Sequence, residues 1–295
     1  MAEELRIVLR NYGRIDPLKI EDYLALGGYK SLEKARGMKP ADVITEVKRS
    51  NLRGRGGAGF NAGMKWSFAA VAQAEQKYVV CNADEGEPGT YKDRIIMESD
   101  PHTLIEGMAI CAYAIGADQG YIYLRGEYPF LINTLNNAIK KAKEKGILDN
   151  LSIEVRSGAG AYVCGDETAQ IESLQGKRGE PRFKPPFPPV EGLWSRPTIV
   201  NNVETLANIP VIMEKGADWY TALGAASYPG SKVFTLTGDV NQRNFFEVPT
   251  NTTIRQLIYD FAGGDKKRQK IKSYPNWRNF RSDYSRNTAG YPNGF

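Results

Sequence analysis

Three short strand-like runs, each separated from the next by a helical segment, do most to limit what this chain can fold into. Lys77–Ala83 (KYVVCNA) is an apolar, β-branched run of strand length; Tyr121–Arg125 (YIYLR) is a second and Ile153–Arg156 a third. Between the first two, Asp100–Pro101 supplies an N-cap and a proline at the first helical position for a long apolar helix through Ile115. Between the second and third, Tyr128–Lys145 is an amphipathic helix ended by Gly146. Strands joined through helices return to the same end of a sheet and pair in parallel. The expectation is an α/β layered domain with a mainly parallel sheet.

The flanks fill in the organisation. The first 50 residues read as helices: one starts at Asp16–Pro17 and closes at Gly27–Gly28, and Pro40 opens another, ADVITEVKRS. A glycine loop, Arg53–Gly63, follows. A second one, Gly158–Gly165, leads into a helix from about Glu167 to Leu174. Residues 176–198, rich in proline, glycine and arginine, should form an ordered irregular loop, and helices resume near Val203. Lys232–Val240 and Phe245–Val248 read as strands and Thr253–Phe261 as a helix, the start of a smaller β-containing module. The expected division is a main domain over 1–230, an incomplete module over 231–264 and a basic irregular tail over 265–295. The tail is either a disordered segment or unrelated sequence in a chain that stops early.

Composition removes several functional classes. No apolar run reaches the roughly 18–20 residues needed to span a bilayer, and the N-terminus MAEELRIVLR has acidic residues where a secretory signal has basic ones. The expected location is cytoplasmic, with no direct membrane insertion and any membrane association through partners on its inner face. Three scattered cysteines, Cys81, Cys111 and Cys164, form no CxxC pair, so no zinc or iron–sulfur signature and no metal site is expected in this chain. A single histidine, His102, argues against triad and zincin chemistry and is expected to be structural. The net charge is +5, but residues 265–295 alone carry +6, leaving −1 on residues 1–264. A nucleic-acid partner needs a basic face on the folded body, and this distribution gives none.

Five segments carry residue types suited to holding a ligand. Gly54-Arg55-Gly56-Gly57-Ala58-Gly59-Phe60 contains GxGxxG, whose glycines let backbone amides approach a phosphate or a flat ring. Arg55 and Lys65 place cations beside it. The dinucleotide fingerprint follows a strand, whereas a helix precedes this loop, so the usual form of that motif does not apply and a purely structural turn stays open. The acidic loop Asn82-Ala83-Asp84-Glu85-Gly86-Glu87 follows the first strand, at the end of a parallel sheet where ligands bind. Its carboxylates would repel phosphate but could accept from ribose hydroxyls or a ring N–H; a solvated acidic turn is the alternative. In the second glycine loop Tyr162 offers an aromatic face, while Asp166 and Glu167 sit where helix capping is the bland role. Asn201 and Asn202 supply amides, with capping by Asn202 equally open. Lys184-Pro-Pro-Phe187-Pro-Pro is either a rigid wall with a stacking ring or a stiff surface loop.

Together these segments resemble the flavin-bearing, NADH-binding subunit of respiratory complex I and its relatives in NAD(P)-linked and bifurcating hydrogenases and formate dehydrogenases. The resemblance covers roughly residues 10–262. It rests on RGRGGAGF at 53–60, KWSF at 65–68, CNADEGEPGTYKDR at 81–94, ESDPH at 98–102, YIYLRGEYP at 121–129, GAGAYVCGDETA at 158–169, KPPFPP at 184–189 and NNVETLAN at 201–208. It implies a Rossmann-like domain that binds FMN and NADH, NADPH being admitted, followed by the start of a ubiquitin-like β-grasp module. By motif position Gly54, Arg55, Gly56, Gly57, Lys65, Asn82, Asp84, Glu85, Tyr162, Gly165, Asp166, Asn201, Asn202 and Thr205 fall in the cofactor cradle. Phe60, Glu87, Glu167, Lys184 and Phe187 would face NADH.

The implied reaction is hydride transfer to the flavin, which needs no protein acid or base and leaves no catalytic residue to nominate. Electrons would then pass to iron–sulfur centres of partner subunits. The resemblance also implies a [4Fe–4S] cluster on a CxxCxxC run, and its cysteines are absent here. Asn61-Ala62 stands where the family has Pro-Thr, and Asp166 where it has Glu, which bears on how the nucleotide is seated. A module that keeps the fold as an assembly or regulatory element, without passing electrons, is the alternative.

Overall fold

The structure, a computed structural model, describes residues 4–264. Three helices come first: α1 (Ile20–Ala25), α2 (Lys30–Arg36) and α3 (Pro40–Arg49). They are followed by the glycine loop and α4 (Ala62–Val71). The sheet then alternates with helices through β1 (Tyr78–Ala83), α5 (Lys92–Ser99), α6 (Pro101–Ile115), β2 (Gln119–Leu124), α7 (Leu131–Glu144), β3 (Ser152–Ser157), α8 (Glu167–Leu174) and β4 (Thr198–Asn202). All four strands are parallel, in the order β3-β2-β1-β4. Because β2 and β3 extend to one side of β1 and β4 lies on the other, the chain reverses direction at β1/β4. Helices leave to opposite sides there, and a crevice opens at the strand C-termini.

Alternate residues of the strands enter two separate cores, as a twofold side-chain period requires. Val79, Cys81, Ile122 and Ile199 join the main core beneath α4, α6 and α9 (Val203–Lys215). Val80, Tyr121 and Val200 pack on Ile171 of α8 and on Leu193 across the other face. In α6 every residue but Tyr113 is buried, so this helix is the centre of the molecule. Its N-cap is Asp100, which accepts from the Thr103 amide at 3.0 Å. A Cβ on Gly107 would lie 2.1 Å from the Leu206 carbonyl oxygen, so a bare backbone at that position is what lets α9 cross α6 so closely.

Glu106, also on α6, is buried and accepts from the Tyr23 hydroxyl (2.5 Å) and from the amides of Tyr29 and Leu32 (both 3.0 Å), tying the first two helices to the core. His102 is buried beside it with Nδ1 2.8 Å from the Tyr29 hydroxyl. Burial depresses its pKa to about 4 and keeps the ring neutral.

After α9 come α10 (Ala217–Thr221) and the two-residue strands β5 (Gly224–Ala225) and β6 (Tyr228–Pro229). An antiparallel pair follows, β7 (Ser231–Leu236) and β8 (Asn244–Pro249), and then a short helical turn, α11 (Ile254–Gln256), which runs on through Phe261. Glu247 of β8 is fully buried. It accepts from the amides of Ile7 (2.9 Å), Val8 (3.0 Å) and Leu9 (2.9 Å) and from the Ser231 hydroxyl (2.5 Å).

Several boundaries differ from the sequence expectation. The first helix begins at Ile20, not at Asp16–Pro17, because the Asp16 carboxylate accepts from the Leu18 amide (3.0 Å) and folds 16–19 into a turn. The strand expected to reach Val240 stops at Leu236. Helices α4 and α5 and strand β4 carried no sequence expectation, and residues 176–198, expected to be loop throughout, hold a short 3-10 turn at Leu193–Ser195. The tail expected over 265–295 lies outside the described residues.

Candidate functional site

The crevice at the β1/β4 reversal is lined by the residues that close the two strands. Cys81 is in register with Asn201, and Asn82 with Asn202. Asn201 is buried and its Oδ1 accepts from Nε1 of Trp66 (2.9 Å), a fully buried ring on α4. The Asn82 Nδ2 donates to the Gly165 carbonyl at 2.9 Å, which brings the second glycine loop to the end of β1.

The first glycine loop arches over this crevice from the α3–α4 side. A β-bridge between Arg53 and Asn61 and a hydrogen bond from the Gly54 amide to the Phe60 carbonyl (2.9 Å) close its neck. A Cβ on Gly56 would come 2.9 Å from Cβ of Asn202, so only glycine lets the loop seat on the end of β4. Among the described residues, the amides of Gly56 and Gly57 meet no protein acceptor. Helices α4, α8 and α9 all begin here, capped by Asn61, Asp166 and Asn202. Their N-termini present positive potential where the free amides lie.

The charged residues divide into two groups. Lys65 Nζ sits 2.5 Å from Oε2 of Glu167 and 2.8 Å from the Val200 carbonyl, and Lys184 Nζ sits 3.0 Å from Oε1 of the same glutamate. Glu167 therefore bridges α4 to the proline-rich loop. Burial alone would raise its pKa, but the two ammonium groups hold it below the usual carboxylate range. The Tyr162 hydroxyl donates to Glu87 at 2.9 Å, and Tyr162, Phe60 and Phe187 expose rings. Asp84 is half-buried, and burial, opposed by Arg125, pushes its carboxyl up to about 6.

Four expected site residues, Arg55, Thr205, Glu85 and Asp166, have partners within the protein itself. The Arg55 guanidinium is 1% exposed and turned into the body. It donates to the Tyr220 hydroxyl (3.0 Å) and the Pro229 carbonyl (2.7 Å), and it lies over the Tyr228 ring at 4.6 Å. An aromatic face with fixed acceptors can hold a desolvated guanidinium, so the cation expected beside the loop is a strut beneath it. Thr205 accepts from the Arg55 amide (2.8 Å) and steadies the same turn.

Glu85 is buried and caps α5, accepting from the amides of Asp93 (2.9 Å) and Arg94 (3.2 Å); burial pushes its pKa up to about 7. Asp166 caps α8, accepting from the Thr168 amide at 2.8 Å. The remaining expected residues, Gly54, Gly56, Gly57, Phe60, Lys65, Asn82, Asp84, Glu87, Tyr162, Gly165, Glu167, Lys184, Phe187, Asn201 and Asn202, all belong to the loops and helix ends around the crevice.

Sequence reasoning passed over Lys92, Asp93, Glu204, Trp66, Tyr220 and Tyr228, which brace those residues from below. Lys92 and Asp93 did leave a signal: a charged pair directly before the apolar run of α5. Among the described residues no cluster of three or more histidine, cysteine or acidic side chains could hold a metal ion, and no helix is long and apolar enough to cross a membrane.

The crevice so built suits a phosphate under the glycine loop and a flat polar ring at the strand ends. Known proteins resemble this chain over the same region. Residues 47–211 match the model of the Nuo51 FMN-binding domain. The chain is 52% identical over 270 residues to the NADP-reducing hydrogenase subunit HndC of Solidesulfovibrio fructosivorans, spanning 89% of this chain and 55% of that one. To an NADH-quinone oxidoreductase subunit of Aquifex aeolicus it is 53% identical over 262 residues, 86% of this chain and 61% of that one. A chain of the NAD+-reducing [NiFe]-hydrogenase, solved in its H2-reduced state, superposes with a TM-score of 0.77 at 40% identity, over 81% of this chain and 42% of that one. The chain thus spans little more than half the length of these curated relatives.

Proposed function

Because the chain belongs to the family of the Nuo51 FMN-binding domain, we propose that it is an electron-input module, oxidising NADH through FMN and passing electrons to iron–sulfur centres of partner subunits. The observation that carries this reading is the meeting of the glycine loop with the ends of β1 and β4, inside the matched region. The residues fit FMN. Free amides at Gly56 and Gly57 and three helix N-termini suit its phosphate, while Asn82, Asp84 and Asn201 suit its polar ring edge.

Bound there, the flavin would supply hydride acceptance and one-electron release. The protein's share is orientation and exclusion. Lys65 and Lys184 hold Glu167 ionised as an acceptor for ribose hydroxyls or the carboxamide of NADH. Phe60 and Phe187 provide faces against which adenine or nicotinamide can lie, and Glu87 is held by Tyr162. No side chain need give or take a proton in the hydride step.

We further propose that residues 231–264 begin a separate small module seated on the α/β domain, which fits the antiparallel β7–β8 pair and the helical turn after it. In the cell the protein would work in the cytoplasm, with any membrane contact made by its partners.

The test is the visible spectrum of the protein after incubation with FMN and removal of the excess. A bound flavin band that NADH bleaches anaerobically is expected. Protein that stays colourless after incubation with FMN sinks the reading, and a flavin band indifferent to both NADH and NADPH sinks the nucleotide part of it.

A further inference from the structure

The carboxamide of Asn202 has no free hydrogen-bonding capacity. Its Oδ1 accepts from Lys92 Nζ (3.2 Å) and from the Glu204 amide (3.0 Å). Its Nδ2 donates to Asp93 Oδ2 (2.7 Å) and to the Asn82 carbonyl (3.4 Å). A primary amide offers two lone pairs and two N–H groups, and all four are taken. The groups that take them are themselves fixed. Lys92 and Asp93 are buried and paired at 2.6 Å. Lys92 lies 3.0 Å from Glu204, which is fully buried and accepts from the Val233 amide of β7 at 2.9 Å. Glu85 caps the start of this same helix, and Gly56 of the glycine loop rests directly against the Asn202 Cβ.

We propose that Asn202 is a positioning residue whose amide is keyed from below by Lys92 and Asp93. It serves the flavin crevice by the shape it presents to Gly56, and does not read the ligand with its amide. The orientation of the carboxamide follows from its neighbours' charges. Asp93 can only accept, so it faces Nδ2; Lys92 can only donate, so it faces Oδ1.

The inference rests on the flavin reading, and an exchange of the two side chains tests it separately. Asn202→Asp sets a second carboxylate against Asp93 and is expected to weaken FMN binding tenfold or more, followed by quenching of flavin fluorescence. Asn202→Asp/Asp93→Asn restores a donor facing an acceptor with net charge unchanged. It is expected to bring FMN affinity back to within about threefold of the parent, with the reduction potential of the bound flavin also restored.

An amide that reads the flavin directly would not be replaced by a carboxylate at 202. An exchanged variant that stays without flavin, folded or not, therefore overturns the proposal, as does an Asn202→Asp variant with parental affinity. If the parent itself takes up no FMN, the flavin reading has failed; the keying is then read from thermal midpoints, which must fall in Asn202→Asp and recover in the exchanged variant.

Discussion

At the scale of single residues, buried carboxylates decide how this protein responds to pH. Glu247 is enclosed on all sides, and burial raises its pKa to about 7 although the Ser231 hydroxyl and the amides of Val8, Leu9 and Ile7 pull it down. The folded protein therefore holds this proton more tightly than the unfolded chain does. The associated stability is fully present below the unfolded carboxyl pKa near 4.5 and is lost as pH rises through about 7. Glu85, at about 7, and Asp84, at about 6, act in the same direction. Urea unfolding is expected to show a midpoint that declines between pH 5 and 8, as order-of-magnitude bounds on that window. The decline should be shallower in Glu247→Gln, whatever that substitution costs in absolute stability; equal slopes in the two proteins would assign the effect elsewhere.

This scale is also where sequence reading was weakest. That Arg55 stands beside a glycine loop is visible in the sequence. That its guanidinium turns inward depends on Tyr220, Tyr228 and Pro229, more than 160 residues later, and no local pattern encodes such a contact.

At the scale of elements, legibility followed the strength of local signals. Helix α6 was readable to the residue because Asp100–Pro101 caps an apolar run that its burial on all sides requires. Helix α4 was hidden because it is a poor amphipath: it buries Trp66 and Ala69 but exposes Met64, Phe68 and Val71. Strand β4 was missed because five residues, TIVNN, follow a proline-rich stretch and run straight into α9, with no turn between.

The packing of α6 on α9 yields a sharp prediction. In Gly107→Val a Cβ must occupy space 2.1 Å from the Leu206 carbonyl, which is backbone and cannot rotate away. A loss of about 3 kcal/mol or more in unfolding free energy is expected. Gly116, where an added Cβ meets nothing within 4 Å but φ is +74°, should lose only about 1 kcal/mol on change to alanine. Equal losses at the two sites would show that the helices separate at little cost.

At the scale of the whole molecule, the candidate site joins regions far apart in sequence. The glycine loop, the ends of β1 and β4, the start of α8 and the proline-rich loop meet at the C-terminal end of the sheet. The α/β class and the parallel sheet were readable because helices alternated with short apolar runs. The crevice itself could not be placed from sequence, because β4 is what creates the reversal of strand order. A ligand that binds across these segments stabilises all of them together. With FMN at a hundredfold excess over its dissociation constant, the folded state should gain about 2.7 kcal/mol. Thermal unfolding with and without FMN measures this as an upward shift of several degrees, and an unmoved midpoint at that excess would show that FMN does not engage the native fold.

The inward strut of Arg55 also sets a timetable for synthesis. The guanidinium that braces the glycine loop donates locally to the Arg53 carbonyl, but its other acceptors, the Tyr220 hydroxyl and the Pro229 carbonyl, come after the whole parallel sheet in the chain. The brace beneath the loop is therefore complete only once the segment 224–229, which follows all four parallel strands in the chain, has folded back against it.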